Sequence, residues 1–453
     1  MTLLEKIKTR RAVVSVIGLG YVGLPLAVTF AEAGFSVIGI EADEAKVDSV
    51  NKGASYIRDV TSERLSLLMP SRSITGSKPT INGRAVGGGR LVATTDYDAL
   101  AEADVAIICV PTPLGKTKEP DVSYIVSAAD DIAIRLHDGM LVILESTTYP
   151  GATEELVLPR LQNAQGCNYE VGKDFYLVFS PERVDPGRTD WTISNTPKVI
   201  GGVTPRCHDM GKAIYESIVD EVVPVSSPTA AEMVKLLENT FRATNIGLVN
   251  EIAIMCDRLN INVWEVIEAA GTKPFGFMPF YPGPGLGGHC IPVDPHYLAW
   301  KLRTLNYNAR FIQLAEEINF GMPAYVLGRI VDALNEDGKS VKGSKILVLG
   351  VTYKADIDDL RESPALDVIE LLQEKGADVR YHDPYVPRLD IDGLHMTGAT
   401  LDAQALRDSD CVIITTAHQS YDWGWIVEHS RLVVDTRNAT EGVIDGADRV
   451  AKL

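Results

Sequence analysis

The feature that most constrains this chain is a glycine-dense turn held between two apolar strands near the N-terminus, in a pattern that returns far downstream. Val13 to Ile17 reads as a strand, Gly18-Leu19-Gly20-Tyr21-Val22-Gly23 as a tight turn, Leu24 to Ala33 as a helix, and Phe35 to Ile40 as a second strand ending at Glu41. That is one strand–helix–strand unit of about 30 residues, the size of a mononucleotide-binding half. Further strands are expected at Val105–Val110, Leu141–Leu144 and Tyr176–Phe179, with helical patterns between them. Such alternation predicts a parallel, doubly wound sheet. From Pro228 a long helix is expected through about Asn260, and helical texture continues to about Val331. Thr229 to Glu232 fits a capping box at its start, with Ser227-Pro228 as the alternative. A strand at Lys345–Val351, a helix at Pro364–Lys375, a strand at Ala377–His382 and an apolar run at Asp410–Thr415 then repeat the opening. The expected fold class is α/β: two Rossmann-like doubly wound parallel-sheet domains, 1–212 and 332–453, joined by a central helical domain, 213–331, with one long helix.

Charge narrows the partners. The 61 acidic against 43 basic residues give a net charge of -18, which argues against binding a nucleic-acid backbone but leaves room for a small anionic ligand on a few local cations. The cysteines at 109, 167, 207, 256, 290 and 411 form no CxxC pair, so a reduced compartment is expected rather than a disulfide framework or a zinc site. The histidines show no metal-ligand spacing, and no metal is expected. The opening MTLLEKIKTRR has no signal-like apolar region and no apolar run is long enough for a bilayer; a cytoplasmic protein with no membrane partner is expected. Ser71 to Gly89 is polar and Gly-rich and reads as a surface excursion.

Chemistry concentrates in a few places. Gly18, Gly20 and Gly23 suit a tight turn, close approach of a pyrophosphate and helix–strand packing, with the helix N-terminus facing the phosphates. Glu41 is placed to accept hydrogen bonds from a ribose diol, which favours NAD over NADP. The second unit lacks this glycine pattern, so a mononucleotide fragment of a substrate suits it better. In Gly283-Pro284-Gly285-Leu286-Gly287-Gly288-His289-Cys290-Ile291-Pro292-Val293-Asp294, a thiol closes a loop whose glycines allow close approach to a ligand, and a carboxylate follows four residues later. Cys109, Cys256 and Cys411 sit in apolar runs and read as packing. His289 neighbours Cys290, but adjacent loop side chains often diverge. Lys235 and Asn239 share a helix face with Arg242 and Asn250; read alone, that stripe is a solvated face. Glu182 and Thr147 follow strand ends, where ligands gather in open α/β sheets. Lys354 and Arg361 flank Asp358-Asp359 after a strand, where a cation could hold a phosphate.

These residues resemble the UDP-glucose/GDP-mannose dehydrogenase family over nearly the whole chain and in matching order. The anchors are GLGYVGLP (18–25), VPTP (110–113), ESTTYPG (145–151), SPER (180–183), the Lys235–Asn239 helix, GPGLGGHCIPVDP (283–295) and GVTYKADIDDLRESPA (350–365). The resemblance implies NAD-dependent four-electron oxidation of a sugar C6 hydroxyl to the uronic acid. It makes Cys290 the nucleophile of a thiohemiacetal and thioester, and Asp294 a group that positions or activates water. It makes Lys235 and Asn239 oxyanion stabilisers, with Glu182 and Thr147 in acid–base work and water placement. Tyr21, Val22, Pro111, Thr112 and Thr147 join the glycines and Glu41 around the cofactor. Glu182, Arg183, Lys235, Asn239, Phe280, Tyr281, Gly283, Gly287, Lys354 and Arg361 would contact a UDP-sugar. The central helix, rich in Met, Leu and Ile on more than one face, reads as a dimer surface, so a homodimer or higher homo-oligomer is expected. Where UDP-glucose dehydrogenases usually carry lysine before the aspartate, this chain has Val293. That form, with Lys273 to Pro282, looks like the branch acting on UDP-N-acetylhexosamines and resembles the UDP-N-acetylglucosamine 6-dehydrogenases; UDP-N-acetylmannosamine and UDP-glucose are the alternatives. Glu41 stands where many members have Asp, which keeps the chemistry with one methylene more reach. A two-electron β-hydroxyacid-type dehydrogenase would also join a Rossmann domain to helices, but explains neither the cysteine loop nor the third domain. A silent binding regulator should have lost Cys290, Lys235 or Asp294, and all three are present.

Overall fold

In the computed structural model, the described residues are 1–69, 90–115, 118–185, 190–391 and 393–453; the expected Ser71–Gly89 excursion lies outside them. The chain divides into two units, Met1–Leu237 with His296–Asn306, and Glu238–Pro295 with Tyr307–Leu453.

The first unit is built on strands β1 (Val13–Ile17), β2 (Ser36–Ile40), β3 (Leu91–Thr94), β4 (Val105–Ile108), β5 (Met140–Leu144), β6 (Phe175–Phe179), β7 (Lys198–Gly202) and β8 (Val222–Val225). They form one sheet in the order β3-β2-β1-β4-β5-β6-β7-β8. Pairings are parallel except for β6 with β7. The central strands read as unbroken apolar runs because both faces are covered: Val14, Val16, Leu141 and Ile143 enter one core, and Ile17, Ile108, Val142 and Leu144 the other. Hydrogen bonding continues one residue past each strand. Gly18 N–H donates to Ile40, Cys109 to Ile17, Glu145 to Ile108 and Ser180 to Leu144. The turn glycine and two later site segments therefore leave the sheet at one edge, its carboxyl end.

The second unit has β9 (Lys345–Leu349), β10 (Asp378–His382), β11 (Arg388–Ile391), β12 (Leu394–Thr397), β13 (Cys411–Ile414), β14 (Val433–Asp435) and β15 (Val450–Lys452). β11 and β12 pair as an antiparallel hairpin; the others form a parallel sheet in the order β10-β9-β13-β14-β15. Val326 and Ile330 of the helix Arg310–Glu336 and Ile369 and Leu372 of the helix Pro364–Glu374 cover one face, against Ile346 and Val348. The internal likeness extends to the backbone: Gly350 N–H donates to His382 as Gly18 N–H donates to Ile40, and both glycines have positive φ.

The long helix runs Pro228–Arg258. It starts at Ser227-Pro228, since Ser227 Oγ accepts the Ala230 N–H at 3.1 Å. Glu232 is not spent on a capping box: its carboxylate accepts from Gly151 N–H, and at 2.9 and 2.6 Å from Thr153 N–H and Oγ1. That pins the turn after β5 to the helix. Among the described residues no helix is long and apolar enough to cross a membrane.

Candidate active site

The glycine turn after β1 is shaped for a ligand. Gly18 has φ +90°, and a methyl there would come 2.6 Å from the Cys109 carbonyl oxygen. A methyl at Gly23 would fall on the Gly18 carbonyl oxygen, whereas at Gly20 it would meet nothing within 4 Å. The helix Gly23–Glu32 that follows has no side-chain cap on Val22, and the positive end of its dipole is where a pyrophosphate is stabilised. Tyr21 beside it is exposed. Glu41 stands at the end of β2, its Oε2 accepting the Leu19 N–H at 2.9 Å and its Oε1 the Asp43 N–H at 3.2 Å. The carboxylate thus orders the turn. These residues fit a dinucleotide. Pro111 and Thr112 follow β4; the Thr112 carbonyl accepts from the buried Tyr297 hydroxyl.

A second group of side chains surrounds the exits of β5 and β6. Ser146 Oγ donates to the Val110 carbonyl at 2.8 Å, fixing the turn that presents Thr147. Lys235 Nζ donates to Thr147 Oγ1 at 2.6 Å, and Lys235 is 9% exposed. The expectation of a solvated face fails here because the turn after β5 covers this side of the helix. Glu182 is buried; its Oε1 accepts from Arg183 N–H at 2.9 Å and Val184 N–H at 2.7 Å, and its Oε2 from Lys198 Nζ at 3.0 Å. Burial pushes its pKa up, but Lys198, the Val184 N–H and Lys235 outweigh that and hold it below the ordinary value. Arg183 directs Nη1 to the Pro197 carbonyl at 2.8 Å.

In the second unit, the half-buried Cys290 closes one turn: its carbonyl accepts from Val293 N–H at 3.1 Å and Asp294 N–H at 2.8 Å. Asp294 then begins the helix Asp294–Thr304. Asp294 is buried, and its Oδ2 accepts from Asn239 Nδ2 at 2.6 Å. Asn250 anchors the start of the loop: its Oδ1 accepts the Gly283 N–H at 3.0 Å and its Nδ2 donates to Asn319 Oδ1 at 2.9 Å. The loop glycines answer a need the sequence did not show. Methyls at Gly287 and Gly288 would come 2.6 and 2.8 Å from Tyr353, and one at Gly285 2.8 Å from Pro364; Gly288 N–H also donates to the Arg361 carbonyl at 3.1 Å. Close packing against residues 351–364 requires glycine there. Phe280 meets Phe241 edge-on with centroids 5.7 Å apart, and Tyr281 stacks on Trp264 at 6.2 Å. Arg361 forks onto Asp359, Nη2 to Oδ2 at 2.6 Å and Nε to Oδ1 at 2.9 Å, and Lys354 lies half-buried after β9.

Four residues escaped the sequence reading. Lys198, Glu145 and Tyr215 form a buried cluster with Glu182. Arg437 is half-buried after β14, with Nε donating to the Thr415 carbonyl at 2.9 Å; desolvation pushes its pKa down to about 10, with Asp435 opposing. Its guanidinium occupies the space beside Gly283. The available signal was position alone, since Glu145 and Arg437 follow the carboxyl ends of apolar strands.

Residues 12–219 match the NAD-binding domain of the UDP-glucose/GDP-mannose dehydrogenase family, 229–320 its central domain and 347–442 its UDP-binding domain. The chain belongs to that family. It is 36% identical over 413 residues to the UDP-N-acetyl-D-mannosamine dehydrogenase of Methanococcus maripaludis, covering 90% of this chain and 86% of the relative. It is 35% identical over 410 residues to the UDP-N-acetyl-D-glucosamine 6-dehydrogenase of Pseudomonas aeruginosa, covering 90% and 91%. The solved structure of a UDP-D-ManNAc dehydrogenase from Pyrococcus horikoshii superposes with a TM-score of 0.82 at 34% identity, covering 96% of this chain and 97% of that one. Within the family the chain is an NAD-dependent nucleotide-sugar 6-dehydrogenase.

Proposed function

We propose that the chain oxidises the C6 hydroxymethyl group of a UDP-N-acetylhexosamine, UDP-N-acetylglucosamine foremost, to the uronic acid through a covalent adduct on Cys290. NAD, held at Gly18, Gly20, Gly23 and Glu41, supplies the hydride acceptor for both oxidations. The Cys290 thiolate adds to the C6 aldehyde and forms a thiohemiacetal. Lys235 and Asn239 donate hydrogen bonds to the C6 oxygen as charge develops there, a contribution of about 10²–10³ in rate for one such donor. After the second oxidation the adduct is a thioester. Water aligned by Asp294, Glu182 and Thr147 attacks it, the C–S bond breaks and the thiolate returns. Arg361 and Lys354 take the diphosphate, and binding energy from that remote group positions C6. The observation that carries this reading is that Cys290 and Asp294 sit on one turn, with the Asn239 amide fixed on Asp294 at 2.6 Å.

The choice of sugar rests on Val293 and on Lys273 to Pro282, and relatives named for N-acetylmannosamine and N-acetylglucosamine both support an acetamido sugar. The test is kcat/KM for UDP-N-acetylglucosamine, UDP-N-acetylmannosamine and UDP-glucose side by side. The first is expected to lead UDP-glucose by at least about tenfold; a lead for UDP-N-acetylmannosamine would move the assignment to that epimer, and a lead for UDP-glucose would overturn it.

The division into domains 1–212, 213–331 and 332–453 belongs to the same proposal, as does a homo-oligomer. Phe241, Leu248 and Met255 are exposed at seven-residue spacing along the helix Pro228–Arg258, an apolar stripe that a second copy would cover. Light scattering on the eluted protein gives the subunit number.

A further inference from the structure

The cluster behind Glu182 contains a cation that the reaction scheme above leaves without a task. Lys198 opens β7 and is 4% exposed. Its Nζ lies 3.0 Å from Glu182 Oε2 and 3.1 Å from Glu145 Oε1. The antiparallel register of β6 and β7, with Phe179 opposite Gly201, sets this up, and Ser180 Oγ donates to the Val199 carbonyl at 2.8 Å to fix the strand exit. Tyr215, the last residue of the helix Pro205–Tyr215, donates its hydroxyl to the same Glu145 oxygen.

Two carboxylates share one ammonium in a buried setting, and an unbalanced charge is costly there. The hydrogen bonds are unequal. Glu182 accepts three donors, from Arg183, Val184 and Lys198, whereas Glu145 Oε2 is buried with no hydrogen-bond partner. A carboxylate has about four acceptor positions, so Glu182 keeps one for the O–H of a water.

We propose that Lys198 is a positioning residue that keeps Glu182 ionised and fixes its carboxylate to orient the hydrolytic water, while Glu145 carries the cluster's exchangeable proton. The inference rests on the assignment of Glu182 to water placement. The shifts run in the same direction: burial pushes Glu145 up, while Glu182, despite its burial, is drawn down by Lys198 and backbone N–H groups. An anion so well satisfied is a weak base, which suits orientation of water better than removal of its proton. The groups facing the cluster are Lys198 from β7, Glu145 from the end of β5, Tyr215, Lys235 from the long helix and Cys109 after β4.

The experiment is the pH dependence of kcat, with the fastest of the three UDP-sugars, for Lys198→Met, Lys198→Arg, the double variant Glu145→Gln/Lys198→Met, and Glu182→Gln. Without the ammonium, the acid limb should move up by about one to three pH units in Lys198→Met, with KM for NAD within about twofold, while Lys198→Arg keeps the wild-type limb. The double variant also replaces the Glu145 carboxyl by a neutral amide, so that no second carboxylate is left buried without the ammonium, and it gives the same answer if the single variant does not fold. An unmoved limb in a folded Lys198→Met or double variant, alongside a Glu182→Gln variant that has lost turnover, overturns the role of Lys198 alone. Wild-type kcat in Glu182→Gln overturns the assignment of Glu182, and the inference with it.

Discussion

A methyl group at Gly20 meets open space and one at Gly23 meets backbone, so two glycines of one motif serve different ends. Gly20→Ala should keep its stability within about 0.5 kcal/mol yet raise KM for NAD at least about tenfold, as expected from an overpacking cost of about 1.4 kcal/mol. Gly23→Ala should instead lose about 1–3 kcal/mol of stability; melting temperatures and NAD titrations separate the two. At Lys235, removal of the Thr147-bound ammonium by Lys235→Met should lower kcat by about 10²–10³ and leave KM for NAD unchanged in steady-state assays. The glycines and Glu41 were legible because the motif is contiguous and each position has its own steric or hydrogen-bonding reason. Lys198 was not: its pairing with Glu182 depends on an antiparallel register that no local pattern encodes.

Among the elements, the apolar strands of both sheets were readable because burial on both faces leaves uninterrupted Val, Ile and Leu. The sequence reading did not expect β3, β7, β8, β14, β15 or the β11–β12 hairpin. β7 opens on a lysine, and β8 carries Pro224, tolerated because β8 is the sheet's edge strand. The glycine loop shows the opposite limit, since its residue types were plain but their partner, Tyr353, lies sixty-odd positions away in sequence. What holds that loop is the pair Asn250 and Asn319. Asn250→Ala would leave the Gly283 N–H and Asn319 Oδ1 without these partners, at a cost of about 1–3 kcal/mol. A double-mutant cycle with Asn319→Ala should give a coupling of about 0.5–3 kcal/mol in denaturant melts; additive losses would show that the two amides act separately.

For the whole molecule, two buried carboxylates set the acid side of stability. Asp383 is opposed by burial but held below its ordinary pKa by His418 and the Val351 and Tyr385 N–H groups, and Glu182 is held low in the other unit. A carboxylate with a depressed folded pKa adds stability that is complete above its unfolded value, about 4, and is lost as pH falls through the folded value. Glu145 and Glu232, raised by burial, act oppositely and lose stability as pH rises from the unfolded toward the folded value. Thermal melts between pH 3 and 7 should therefore show a steep loss below about pH 4, and Asp383→Asn should flatten it; an unchanged acid limb in that variant would contradict the assignment.

The reaction account itself turns on the thiol of Cys290. The most direct measurement is NADH formed per molecule of limiting UDP-N-acetylhexosamine, in the wild-type chain and in Cys290→Ala. Four-electron oxidation through a Cys290 thioester predicts two NADH per sugar from the wild type, and no uronic acid from the variant. One NADH per sugar from the wild type, or full uronic acid from Cys290→Ala, would contradict it.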